Sequence, residues 1–192
     1  MMARKSLFLL TRLTLLAVVL CAFLAETLAQ SDTLPRADTV VKPTVYVSRA
    51  PIPRSRSFEI AVVGEILPGF HVNSNPASQD YLIPTQLTAT LPAGFRLLST
   101  SYPPGLLRKF QFSPVQLSVY EWKFTLRLRL AAENDAPLGP HKLPLVLRYQ
   151  ACNDEACLPP VKLPLVAEFE VAPLGSKSLP VNSSIFRPSS PK

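Results

Sequence analysis

From Lys123 to Leu130 the chain alternates without a break. Phe124, Leu126, Leu128 and Leu130 are apolar, and Lys123, Thr125, Arg127 and Arg129 between them are polar. Successive side chains of a strand point to opposite faces, so this is the pattern of a strand that is buried on one face and wet on the other. Shorter runs of the same period recur. Phe58, Ile60 and Val62 alternate with Glu59 and Ala61, and Gln86, Thr88 and Thr90 with Leu87, Ala89 and Leu91. Leu145, Leu147 and Tyr149 form another run, and Val161, Leu163, Leu165, Ala167, Phe169 and Val171 the last. Turn chemistry fills the gaps at Leu67-Pro68-Gly69, Pro92-Ala93-Gly94, Pro103-Pro104-Gly105 and Leu138-Gly139-Pro140. No segment keeps a helical period. Proline, at 21 of 192 residues against a usual share of about 5%, points the same way, because helix interiors reject it while turns and strand edges accept it. Seven or eight short strands at this spacing predict an all-β sandwich.

The composition allows a core, with 47% hydrophobic and 17% charged residues. The formal charge is +7. Setting aside Arg4, Lys5, Arg12 and Glu26 of the N-terminal segment leaves 17 basic and 12 acidic residues, or +5. That excess is scattered and never interleaved with aromatics, so it reads as a solvated surface and no nucleic acid is expected as a partner.

Residues 1–29 read as a secretory signal peptide. Arg4, Lys5 and Arg12 make a positive start, Leu13 to Leu24 an apolar run, and Thr27-Leu28-Ala29 a small-residue cleavage site. The apolar run is shorter than the ~20 residues of a spanning helix, so no stable membrane insertion is expected after cleavage. Leu20 stands where a lipoprotein signal needs a small residue before Cys21, and Cys21 is expected to leave with the signal. Residues 30–42 are expected to be a flexible lead-in, 43–172 the sandwich domain and 173–192 a disordered Ser/Pro-rich tail.

Cys152 and Cys157 are then the thiols of the mature chain, in an oxidising compartment where a disulfide can persist. They are expected to end one strand and begin the next, and a loop of four residues brings such sulfurs within bridging reach. Two readings stay open on spacing alone. A structural staple closing so short a loop contributes only about 2 kcal/mol, against about 4.7 for a loop of 100 residues; the other reading is redox exchange. Asp154 and Glu155 lie between the thiols with no basic residue beside them. Negative neighbours disfavour a thiolate, so an exchange pair of this kind should need a docked partner. Structural zinc wants four ligands, and only His71 and His141 could join the two cysteines.

The run Tyr149-Gln150-Ala151-Cys152 through Cys157-Leu158-Pro159-Pro160 resembles the signature of the N-terminal periplasmic domain of DsbD, the membrane thiol:disulfide interchange protein. Pro68-Gly69-Phe70-His71-Val72-Asn73-Ser74-Asn75-Pro76 and Tyr81-Leu82-Ile83-Pro84-Thr85 are similar to an early segment of the same domain, and the likeness covers roughly Val41 to Val171. The resemblance implies an immunoglobulin-like β-sandwich of seven to nine strands with a cysteine-bearing hairpin. It implies Cys157 as the thiol that forms mixed disulfides and Cys152 as the resolving thiol, with no metal or organic cofactor. It also implies a cap loop with an aromatic residue over the disulfide. Lys109 to Pro114 falls at that place, with Phe112 as the candidate cap and Phe110 and Tyr149 as further partner-binding candidates. Phe110 and Phe112 could equally be ordinary core aromatics.

The function so implied is a periplasmic relay that passes electrons from a separate membrane donor to thioredoxin-fold proteins. Two rivals remain: an immunoglobulin-like binding module with a structural disulfide, and a metal-handling site made of His71, His141 and the thiols.

Overall fold

The computed structural model describes residues 34–187; the signal segment, Cys21 and the last five residues lie outside them. In chain order the strands are β1 (Val41–Val47), β2 (Arg49–Ala50), β3 (Ile52–Pro53), β4 (Arg56–Ile66), β5 (His71–Asn73), β6 (Gln86–Ala89) and β7 (Phe95–Ser101). There follow β8 (Leu106–Arg108), β9 (Leu117–Glu121), β10 (Lys123–Ala132), β11 (Gly139–Tyr149), β12 (Ala151–Cys152), β13 (Val161–Ala172) and β14 (Leu179–Pro180). A helical turn, α1, spans Ser183–Phe186.

The strand predicted from alternation is β10, and it lies inside the sheet β1-β4-β10-β7. A second sheet, β3-β13-β11-β6, faces it. Phe58, Ile60 and Val62 of β4 and Leu126, Leu128 and Leu130 of β10 point inward, and Leu143, Leu145 and Leu147 of β11 close the same core. The fold is an all-β, immunoglobulin-like sandwich. It has more strand segments than the expected seven to nine because turns and prolines cut the edges into short pieces such as β2, β3 and β12.

A third sheet, β12-β5-β9-β8, stands at one end of the sandwich and carries the cysteine pair. Its Val72, Tyr120 and Ala151 face the main core. Its other face carries Leu117 and Val119, which pack with Phe110 in a small separate cluster joined by Leu82.

The flanking segments differ from expectation. The lead-in is structured from a 3-10 turn at Ala37–Thr39, and β1 begins at Val41 rather than after residue 42. The tail is not a free end as far as Arg187. β14 pairs with β2, Asn182 Nδ2 donates to the Val47 carbonyl, and Arg127 Nη2 donates to the carbonyl of Ile185 at 2.7 Å. Register puts Ala61 on the same outward face as Arg127, and Val63 two residues on shares it. Both are nevertheless buried, at 0% and 4% exposure, beneath a strap whose turn α1 packs on β4. Deleting the chain from Leu174 onward is therefore expected to lower stability by about 1–3 kcal/mol, from re-exposed apolar area and lost hydrogen bonds. Thermal unfolding of the truncated chain checks this, and an unchanged midpoint would show that the strap merely rests on the sheet.

Candidate functional site

Cys152 and Cys157 are joined, with sulfurs 2.03 Å and Cα atoms 4.0 Å apart. They face one another across an isolated antiparallel bridge. The loop between them is held by its first residue. Asn153 Oδ1 accepts from the backbone N–H groups of Glu155 at 3.0 Å and Ala156 at 2.7 Å, and the Asn153 N–H donates to the Ala156 carbonyl. An Asn side chain that mimics a backbone turn in this way explains how four residues suffice. One step further out, the Leu158 N–H donates to the Ala151 carbonyl, and the Leu158 side chain enters the core.

The two cysteines do sit on a hairpin, but not at the ends of the long strands as the sequence suggests. The long strands β11 and β13 do pair, from Gly139 with Val171 to Tyr149 with Val161. After Tyr149, however, the chain leaves that sheet. Ala151 and Cys152 pair instead with Val72 and His71 of β5, and the next long strand begins only at Val161. The disulfide thus belongs to the third sheet. Its two cysteines sit in different surroundings: Cys152 is 2% exposed, whereas Cys157 is exposed.

The segment Lys109 to Pro114 covers the face that carries His71. Its order of aromatics differs from expectation. Phe110 is the buried member and stacks on His71 with ring centroids 4.2 Å apart. Phe112 stacks on the outer side of Phe110 at 5.2 Å and is half exposed. The loop is tied down by Lys109, whose ammonium donates to the Ser113 and Pro114 carbonyls, and by the Ser113 N–H donating to Phe110.

Tyr149 does not join this surface. It is fully buried and its hydroxyl donates to the Ala37 carbonyl at 2.8 Å, with burial raising its pKa. It anchors the end of β11 and cannot touch a partner. The metal-handling arrangement also falls. His141, near the far end of β11, packs against Phe95 and Phe169. Eight residues of strand, roughly 27 Å at about 3.4 Å each, separate it from Tyr149 alone.

Two site neighbours, Glu121 and Trp122, escaped the sequence reading, and His71 was named there without its pairing to Cys152. His71 is paired in register with Cys152, although 81 residues separate them. Glu121 is paired in register with His71, and its carboxylate holds Arg108 through a bidentate contact at 2.9–3.0 Å. Trp122 is exposed, with φ at 64°, where the chain passes from β9 to β10. Together with Pro68, Phe70, Phe110 and Asp154, these residues line a cleft of about 210 Å³. Long-range strand register, which no local motif encodes, is what assembles them. Burial pushes the His71 imidazole below its ordinary pKa, and Glu121 and then Asp154 oppose that shift.

Among the described residues no helix is long and apolar enough to cross a membrane. No curated protein matches the chain. Among solved structures it is similar to the reduced DsbD N-terminal domain of Neisseria meningitidis, with 16% identity, TM-score 0.43, and 79% of this chain and 98% of that one covered. It is similar also to the complex of DsbD and PilB N-terminal domains from the same organism, at 17% identity and TM-score 0.44, covering 71% and 88%. The N-terminal periplasmic domain of ScsB from Proteus mirabilis shows 11% identity and TM-score 0.45, covering 72% and 49%. The decisive match is in sequence. The family model described as Thiol:disulfide interchange protein DsbD, N-terminal, matches residues 38–164, which span well over half the chain and both bridged cysteines. The chain belongs to the DsbD N-terminal domain family.

Proposed function

We propose that the chain is an extracytoplasmic thiol–disulfide exchange module. It takes electrons from a separate membrane donor and passes them to thioredoxin-fold proteins through the Cys152–Cys157 pair. The observation that carries this reading is the unequal burial of the two cysteines, with Cys157 exposed and Cys152 2% exposed. Family membership supports the same chemistry.

Exchange begins when a partner thiolate attacks Cys157 Sγ. The Cys152–Cys157 bond breaks, Cys152 leaves with the electron pair, and a mixed disulfide remains on Cys157. The reverse sequence returns two electrons to an oxidised partner. The half-exposed Phe112 and the exposed Trp122 flank the site as apolar contacts for the docking protein. Residues 1–29 act as the export signal that brings the domain to an oxidising compartment, and the sandwich from Val41 to Ala172 with its docked C-terminal strap forms the exchange domain.

The rival binding-module reading makes the disulfide inert. Equilibration with glutathione separates the two, because a structural bridge resists a poise that a relay pair follows. The exchange reading expects partial reduction in glutathione buffers with the fold intact.

A further inference from the structure

We propose that His71 takes the proton from the buried thiol of Cys152 when the disulfide closes, as the middle member of a transverse row Cys152–His71–Glu121. The proposal rests on the exchange reading above. Its basis is register. β12 sets Cys152 opposite His71, and β5 sets His71 opposite Glu121. Residues directly opposed on antiparallel strands share a face with Cβ atoms about 4.5–5.5 Å apart. Thiol, imidazole and carboxylate are therefore consecutive neighbours on three adjacent strands.

The two thiols of the reduced pair face different problems. Cys157 is exposed and can lose its proton to solvent. Cys152 is 2% exposed and needs a base close at hand. The imidazole is itself buried and is held flat against Phe110. Burial keeps it neutral, and so able to accept, while Glu121 from β9 and Asp154 from the cysteine loop favour the imidazolium it would become. The nearby cations are both paired, and the one on Glu121 offsets part of that carboxylate's pull on the imidazole. Arg108 of β8 is bound to Glu121, and Lys109 of the covering loop is bound to carbonyls.

In a mixed disulfide on Cys157, the Cys152 S–H proton passes to His71, and the Cys152 thiolate attacks Cys157 Sγ. The Cys152–Cys157 bond forms and the Cys157–partner bond breaks. The electron pair departs on the partner's sulfur, and the imidazolium gives its proton up to solvent or to that thiolate. In the opening direction the imidazolium protonates Cys152 as it leaves.

The reaction of the reduced protein with dithiobis(nitrobenzoate) resolves the two halves. Cys157 attacks first and releases one coloured thiolate; Cys152 then closes the disulfide and releases the second. His71→Phe keeps a ring on Phe110 without the nitrogens. It is expected to slow the second phase by about 10²-fold at neutral pH, within the range for a positioned acid–base group, and to leave the first within about twofold. The wild-type second phase should show the inflection of the imidazole. The variant's should rise in proportion to hydroxide and meet the wild type at high pH. Glu121→Gln, which removes a group that favours the imidazolium, should move the wild-type inflection to lower pH, a change that a packing role would not produce. A second phase untouched by His71→Phe, both phases slowed alike, or an inflection that stays in place in Glu121→Gln would overturn the proton role. A folded wild-type protein that releases no coloured thiolate would overturn the exchange reading itself, and the proton role with it.

Discussion

Cys152→Ala is expected to accumulate a mixed disulfide through Cys157, whereas Cys157→Ala is expected to accumulate almost none. The contrast follows from position. Cys157 follows the exposed tip Asp154-Glu155-Ala156 and is itself exposed, while Cys152 is 2% exposed and is paired with His71 on the face covered by Phe110. Attack on or by a sulfur needs access along the S–S axis, so the buried sulfur is closed to a protein partner even when its neighbour is removed. Loss of a covalent nucleophile costs on the order of 10³-fold or more, and the two variants should differ by about that much in adduct formation rate. The measurement is adduct mass on non-reducing gels, using a thioredoxin-fold protein whose single remaining cysteine carries thionitrobenzoate, so that Cys157 attacks that disulfide and the coloured thiolate leaves. Equal trapping by both variants would show that burial does not decide which sulfur reacts, and the assignment of roles would fail.

Leu128→Ala is expected to be the most damaging single change to the fold. Leu128 is fully buried on β10, paired in register with Ile60 of β4 on one side and Thr100 of β7 on the other. Truncation removes apolar contacts and leaves a cavity that strands held on both sides cannot collapse, at a cost of about 2–5 kcal/mol. For a domain of this size that lowers the unfolding midpoint by on the order of 10 °C. Arg129, one residue along, points outward and is exposed. Arg129→Ala is expected to change stability by less than about 0.5 kcal/mol. The pair of variants tests the register directly, because a slip of one residue exchanges their places. Similar losses from both in a urea titration would contradict the strand assignment.

These two variants also mark what the sequence disclosed and what it hid. β10 was legible because its alternation is complete within one segment and each side chain's surroundings follow from its own parity. β4 was only half legible. Its inward face was clear, yet Ala61 and Val63 on the outward face are buried by a strap that begins more than a hundred residues later. A tail rich in serine and proline has no periodicity to announce that it will dock, since β14 is two residues long and its hold depends on backbone hydrogen bonds.

The same division runs through the site. Two cysteines between alternating runs were visible, as was an aromatic segment near them. Which aromatic turns inward was not, and Phe110 rather than Phe112 meets His71. Tyr149 looked like part of the signature because it stands three residues before Cys152, but strand parity sends it into the core. His71 and Glu121 stand beside Cys152 only through pairings between distant strands, and that information is not local.

A Cys152–Cys157 disulfide that works as a redox couple must open and close within the range of its partners. Its most direct test is the reduction potential of the folded protein, read from the oxidised fraction in graded thiol buffers. The expected potential is above about −300 mV, in the range that exchanges with thioredoxin-fold proteins. A disulfide that stays closed below that poise, in a protein that remains folded throughout, would contradict it and leave a structural staple in its place.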